Sequence, residues 1–93
     1  MEEFVKRMID EHRELVARIQ KLDAWVYGEA YQKVDAVEFA NECVQLRAMK
    51  VYENALRARL FNQGIIINGT DYLVSVDDIE DEPEEQENIA NNN

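Results

Sequence analysis

The sequence predicts a mainly α fold: an antiparallel two-helix hairpin of coiled-coil type, followed by a short C-terminal β-hairpin and a disordered acidic tail. Three observations carry this. An apolar heptad runs through the first 27 residues, a second helical pattern lies between Asp35 and Gly64, and after Gly64 the period becomes that of strands. The expected units are 1–63 (helical hairpin), 64–76 (β-hairpin) and 77–93 (acidic tail).

The first helix is expected over 2–27. Val5, His12, Ile19 and Val26 share one heptad position, and Met8, Leu15 and Leu22 follow three residues after the first three of them. Glu2 and Glu3 suit the positive end of the helix dipole, Glu14→Arg18 adds an i,i+4 pair, and Gly28 is a natural stop. Residues 29–34 form a connection short enough to turn the next helix back along the first.

The second helix is expected over 36–62, with Asp35 as N-cap, Glu38 three residues on as in a capping box, and Gly64 past the end. It carries two apolar stripes. Phe39, Cys43, Leu46, Met49, Leu56 and Leu60 form one; Val37, Val44, Val51 and Ala58 recur every seven residues, with Ala40, Ala48 and Ala55 beside them. Val37 and Phe39 point roughly 200° apart at about 100° per residue. One partner helix covers one stripe, so the second calls for another subunit or the C-terminal segment folding back. Self-association through Val37, Val44, Val51 and Ala58 is the expectation.

Ile65-Ile66-Ile67, Asn68-Gly69 and Thr70-Asp71-Tyr72-Leu73-Val74 read as strand, type I′ turn and strand. Such a hairpin is marginal alone in water and must pack on the helices or pair between chains. The tail holds eight of the 20 acidic residues and no Lys or Arg, leaving 12 acids beside all 10 bases in the rest of a chain of net charge −10. With Pro83 and Asn91-Asn92-Asn93 it lacks the apolar surface to offset ordering, and reads as a solubilising or interaction tail.

These quantities bound the function. Ninety-three residues make one small domain with little room for a deep cleft. A single cysteine forms no internal disulfide, no apolar run approaches a membrane span, and Met-Glu-Glu does not open a targeting peptide, so a cytoplasmic protein is expected. Asn68-Gly69-Thr70 fits a glycosylation sequon but reads as accidental without a secretion signal.

His12 is the only histidine, which excludes a His-based metal cluster, and it sits where a side chain hydrogen-bonds across the seam. Cys43 reads as a small buried hydrophobe. Antiparallel pairing puts His12 nearer residues 49–56 than 43, which removes a Cys–His dyad. The sequence has no phosphate loop, CxxC, GxSxG or HExxH, so neither enzyme nor cofactor is expected. Arg47, Lys50, Arg57 and Arg59 form a basic patch on helix two, and Arg7, Arg13, Arg18 and Lys21 another on helix one. Ordinary surface charge is the plain reading. The sharper one is that these bases, with Tyr52, Tyr31 and Trp25, shape an anion pocket at a subunit interface, the preferred set being Arg47, Lys50, Arg57 and Arg59 on the phosphate and Tyr52 as the aromatic face. The net charge opposes long nucleic acid, not a small anion in a local pocket.

Arg7-Met8-Ile9-Asp10-Glu11-His12-Arg13-Glu14-Leu15, continuing through Lys21-Leu22-Asp23-Ala24-Trp25-Val26, resembles the opening of small helical-hairpin proteins of tailed and crAss-like bacteriophages. Gln45-Leu46-Arg47-Ala48-Met49-Lys50-Val51-Tyr52 through Leu56-Arg57-Ala58-Arg59-Leu60 is similar to their second helix, so the likeness covers about residues 4–60. The β-hairpin and acidic tail depart from the short members of that group. More remotely, the chain resembles phage anti-CBASS and anti-Thoeris sponge proteins, oligomers that hold cyclic-nucleotide immune signals between subunits. The resemblance implies a small, non-enzymatic phage protein; binding to a host defence factor is the leading expectation, because a small acidic hairpin with two apolar faces needs no pocket for it, with capture of a small cyclic nucleotide as the alternative. A coiled-coil adaptor and a DNA mimic acting through the tail are the remaining readings. The expected partners are further copies of the chain, a host protein and a small anionic nucleotide, with no long nucleic acid and no membrane.

Overall fold

The computed structural model describes residues 1–75; the segment expected to form the acidic tail lies outside the described residues. Helix α1 spans Glu3–Val26, a short α2 spans Ala30–Lys33, and α3 spans Ala36–Asn62. Strands β1 (Ile65–Asn68) and β2 (Asp71–Val74) close an antiparallel two-stranded sheet. The expected helical hairpin and C-terminal β-hairpin are thus both present.

Helix α1 buries Val5, Met8, Ile9, His12, Leu15 and Val26 against α3, with Ile19 and Leu22 half-buried, so one heptad seam accounts for its packing. It ends at Val26 because Tyr27 and Gly28 turn away, and a Cβ at Gly28 would stand 2.7 Å from the carbonyl oxygen of Ala24. The stretch treated as a plain connection contains the single turn α2, whose Ala30 is fully buried. Four residues carry no periodicity from which such a turn is read.

Asp35 caps α3 by accepting from the backbone N–H of Glu38 at 2.8 Å, and Gly64, with φ +83°, ends it in the left-handed region that glycine enters freely. The cap and the glycine fix both ends of α3 where the sequence places them. Between them, Leu46, Leu56 and Leu60 are buried in the seam and Phe39, Cys43 and Met49 are half-buried.

The hairpin folds back onto the helices. Ile65 joins Val5, Met8, Ile9, Leu15, Leu56 and Leu60 in one core, and Ile67 and Tyr72 pack against it. Ile67 lies opposite Tyr72 and Asn68 opposite Asp71, so the two turn residues are Gly69 and Thr70. The turn therefore sits one residue beyond the expected Asn68-Gly69 pair. Gly69, at φ +63°, takes its first central position, which glycine also favours in two-residue hairpins. The hairpin is stapled at its base, where the Ser75 N–H donates to the Gly64 carbonyl at 2.7 Å.

Among the described residues, nothing covers the second stripe of α3. Val37, Val44 and Val51 are 72%, 57% and 65% exposed, on the side of α3 opposite the seam. The hairpin lies on the seam instead, so residues up to Ser75 do not cover the stripe.

Candidate ligand site

The seam between α1 and α3 has two polar insertions that face each other. His12 is 1% exposed, and both ring nitrogens are occupied: Nε2 donates to Glu53 Oε2 at 2.7 Å, and Nδ1 accepts from the Tyr72 hydroxyl, also at 2.7 Å, when the ring is neutral. Glu53 in turn accepts from Nε and Nη2 of Arg57 at 3.1 and 2.8 Å. The Arg13 guanidinium lies over the Tyr72 ring, 4.8 Å from its centroid, and His12 meets the same ring edge-on. One network thus ties α1, α3 and β2 together.

Burial pushes the Glu53 carboxyl upward, but hydrogen bonds from His12 and Arg57, with their charge, outweigh it and hold the group below its ordinary 4.5. Burial raises the Tyr72 phenol above its ordinary 10.0 against the opposing pull of Arg13 and Arg57, so it stays a protonated donor at neutral pH. A carboxyl depressed in the folded state binds fewer protons there than in the unfolded chain, so it stabilises above the unfolded value and that contribution fades as pH falls through the folded one. The stability difference between the wild type and Glu53→Gln is therefore expected to shrink below about pH 4.5. Urea denaturation across pH 3–7 checks it; a difference constant over that range would contradict the assignment.

Along the same flank, three adjoining cavities form a groove. One of about 250 Å³ is lined by Val26, Tyr27, Cys43, Leu46, Arg47 and Lys50. The next, about 460 Å³, shares Lys50 and adds Val16, Ile19, Glu53 and Arg57. A third, about 300 Å³, shares Val16 and Arg57 and lies under the hairpin turn.

The groove draws together Arg47, Lys50 and Arg57 from the expected ligand set. Lys50 reaches Asp23 at 3.3 Å in an exposed pair of the kind that contributes little and is readily exchanged for another anion. Tyr52 and Arg59 are not brought to it. Tyr52 stands roughly 160° round α3 from Lys50 and Arg59 accompanies Tyr52, so in a single chain both lie on the opposite flank. Two residues apart on a helix is the wrong spacing for a shared face. Cys43 lines the first cavity while His12 is committed to Glu53, which leaves no Cys–His pair.

Arg13, expected as part of the helix-one basic patch, joins the site, and Glu53 and Tyr72 complete it without being singled out as ligand residues by the sequence. A signal for Glu53 exists: Leu46, Met49, Glu53, Leu56 and Leu60 keep seam spacing, with the carboxylate at the one polar step. Among the described residues no group of His, Cys, Asp and Glu is arranged to hold a metal, and no helix is long and apolar enough to cross a membrane.

A protein-family model, Sequestin, matches residues 2–62, the whole of the helical hairpin. The chain belongs to the Sequestin family. No curated protein and no solved structure matches it. Sequestin membership implies a protein that works by binding and sequestering rather than by catalysis, and fits the likeness to sponge-like anti-defence proteins. The match ends before β1, so the β-hairpin and its Tyr72 are additions to the part that the Sequestin model covers.

Proposed function

We propose that this Sequestin-family chain is a phage protein that sequesters a small anionic nucleotide signal of a bacterial host's defence, in the host cytoplasm, with its phosphates on Arg47, Lys50 and Arg57. The observation that carries the reading is the groove itself: Arg47, Lys50 and Arg57 of α3 line adjoining cavities of mixed polar and apolar wall, beside Glu53, in a chain of net charge −10. Local positive charge in an otherwise acidic protein is selective for a small anion over a long polyanion, which the rest of the surface repels. Three charge-assisted contacts of roughly 1.5–3 kcal/mol each bring micromolar binding within reach without a deep cleft.

The second element of the reading is assembly. Copies associate through Val37, Val44, Val51 and Ala58, and Tyr52 and Arg59 enter a site only when a neighbouring copy presents them. Host-protein binding is the second reading, favoured by the same bare stripe, which a partner helix fits as well as a second copy does.

Calorimetry against cyclic di- and trinucleotides and cyclic ADP-ribose variants tests the first reading. The wild type is expected to bind at least one of them at micromolar affinity. Arg47→Ala, which touches no core residue, is expected to weaken that binding about ten-fold. Absence of heat with every ligand at roughly tens of micromolar protein would leave host-protein binding as the account.

A further inference from the structure

The end of the groove under the β-hairpin differs in kind from the rest. Its cavity of about 300 Å³ is lined by His12, Arg13, Val16, Arg57, Gly69, Thr70 and Tyr72. Those groups combine a fixed aromatic ring, two guanidiniums from opposing helices and an apolar wall. The ring is fixed because its hydroxyl is held by His12, and His12 is held by Glu53. A side chain already locked in place spends no rotamer entropy when a ligand arrives.

Arg57 stands where this cavity meets the next one, lining both. It gives Nε and Nη2 to Glu53, which orients the guanidinium and leaves Nη1 without a protein acceptor among the described residues. The Arg13 guanidinium already stands over an aromatic ring, 4.8 Å from its centroid, so a cation and a π surface meet at that spot. A place for a phosphate beside a place for a planar ring is the chemistry of a nucleotide, and both grip it without any base-specific loop elsewhere in the chain.

We infer that the β-hairpin builds a base-recognising pocket at the end of the groove, in which Arg13, Tyr72 and the Gly69-Thr70 turn enclose a nucleobase while Arg57 holds the adjoining phosphate. This rests on the nucleotide-sequestering reading and deepens it. Of the residues that line the pocket, Gly69, Thr70 and Tyr72 lie past the stretch that the Sequestin model matches, so the β-hairpin completes a base site that the helices begin with Arg13 and Arg57. Gly69 supports the turn's role as a wall: no atom lies within 4 Å of where its Cβ would be, so the turn backbone faces open space that a ligand can occupy.

The test uses the full chain and cyclic dinucleotides that share their phosphates and differ in base: adenine, guanine and uracil. Calorimetry on the wild type is expected to separate the best from the worst base by ten-fold or more. Arg13→Ala, which removes the stacked cation, and Thr70→Trp, which fills the cavity from an exposed turn position, are each expected to reduce that separation to less than two-fold. Arg18→Ala, which removes the same charge from an exposed Glu14 pair outside the groove, should leave it unchanged. Equal affinity for all bases in the wild type, or full discrimination retained in both variants, overturns the pocket while the groove reading stands. A wild type that binds none of these dinucleotides overturns the pocket, and the groove reading falls with it only when cyclic trinucleotides and cyclic ADP-ribose variants also give no heat. Both variants change exposed positions away from the apolar core, and circular dichroism confirms that their helices are intact.

Discussion

Replacing His12 with alanine is expected to destabilise the fold by about 3 kcal/mol, the order found when a buried side chain is emptied and its hydrogen bonds are lost. The substitution acts three ways. It empties the space of a ring that is 1% exposed, it leaves the Tyr72 hydroxyl without its acceptor, and it takes from Glu53 the partner that faces the interior. Arg57 still holds Glu53 from the outer side, so the carboxylate is not orphaned and the loss stops short of the largest values. Small domains start with only about 5–15 kcal/mol in total, which makes this a large share of the whole. Tyr72→Phe, which removes one hydroxyl and keeps the ring, should cost only about 1 kcal/mol. Urea denaturation gives both values. If His12→Ala costs no more than Tyr72→Phe, the network is decoration on a seam held by its apolar residues alone.

The Val44→Glu, Val51→Glu double variant is expected to leave each chain helical and to reduce the assembly to single chains. Both valines are exposed in the single chain, 57% and 65%, and neither belongs to the core, so the glutamates remain solvated when the chain is alone. At a two-fold contact each change counts twice. Losing roughly 1.5 kcal/mol per valine then removes about 6 kcal/mol, or about four orders of magnitude in association, before any repulsion between the new carboxylates. Sedimentation of the two proteins at equal concentration decides it. A wild type that already sediments as a single chain gives the stripe to a host protein instead, and the pull-down of that protein should fail with the same double variant.

What the sequence made legible was local. The α1 heptad, the Asp35 cap and the Gly64 stop each concern residues within a few positions of one another, and the helix ends fall where those signals lie. The hairpin was legible as a hairpin, but its turn was not, because Asn68-Gly69 and Gly69-Thr70 are both workable two-residue turns. The choice between them depends on Tyr72. Centring the turn on Asn68-Gly69 would set Tyr72 opposite Ile65 instead of Ile67, about 7 Å along the strand from its present neighbour and out of register with His12. Nothing local to the hairpin encodes a contact made 60 residues away. Glu53 was hidden for a related reason: a lone carboxylate on a helix reads as solvated surface until the histidine opposite it is known. The basic groove was half legible, since residue type marked the cations but only the angular positions on α3 separate Arg47, Lys50 and Arg57 from Tyr52 and Arg59.

The single core of Val5, Met8, Ile9, Leu15, Leu56, Leu60 and Ile65 is gathered at the hairpin end, while the buried Val26, Ala30 and Leu46 near the α1–α2–α3 connection stand outside it. Resistance to local opening is therefore graded along the length of the molecule. The connection end is held by fewer buried side chains than the hairpin end, so local opening is expected there first. The cavity bounded by Val26, Tyr27, Cys43, Leu46, Arg47 and Lys50 lies at the connection end and the Tyr72 pocket at the hairpin end. A molecule held along the groove would have one end against the well-packed core and the other beside the sparsely held connection.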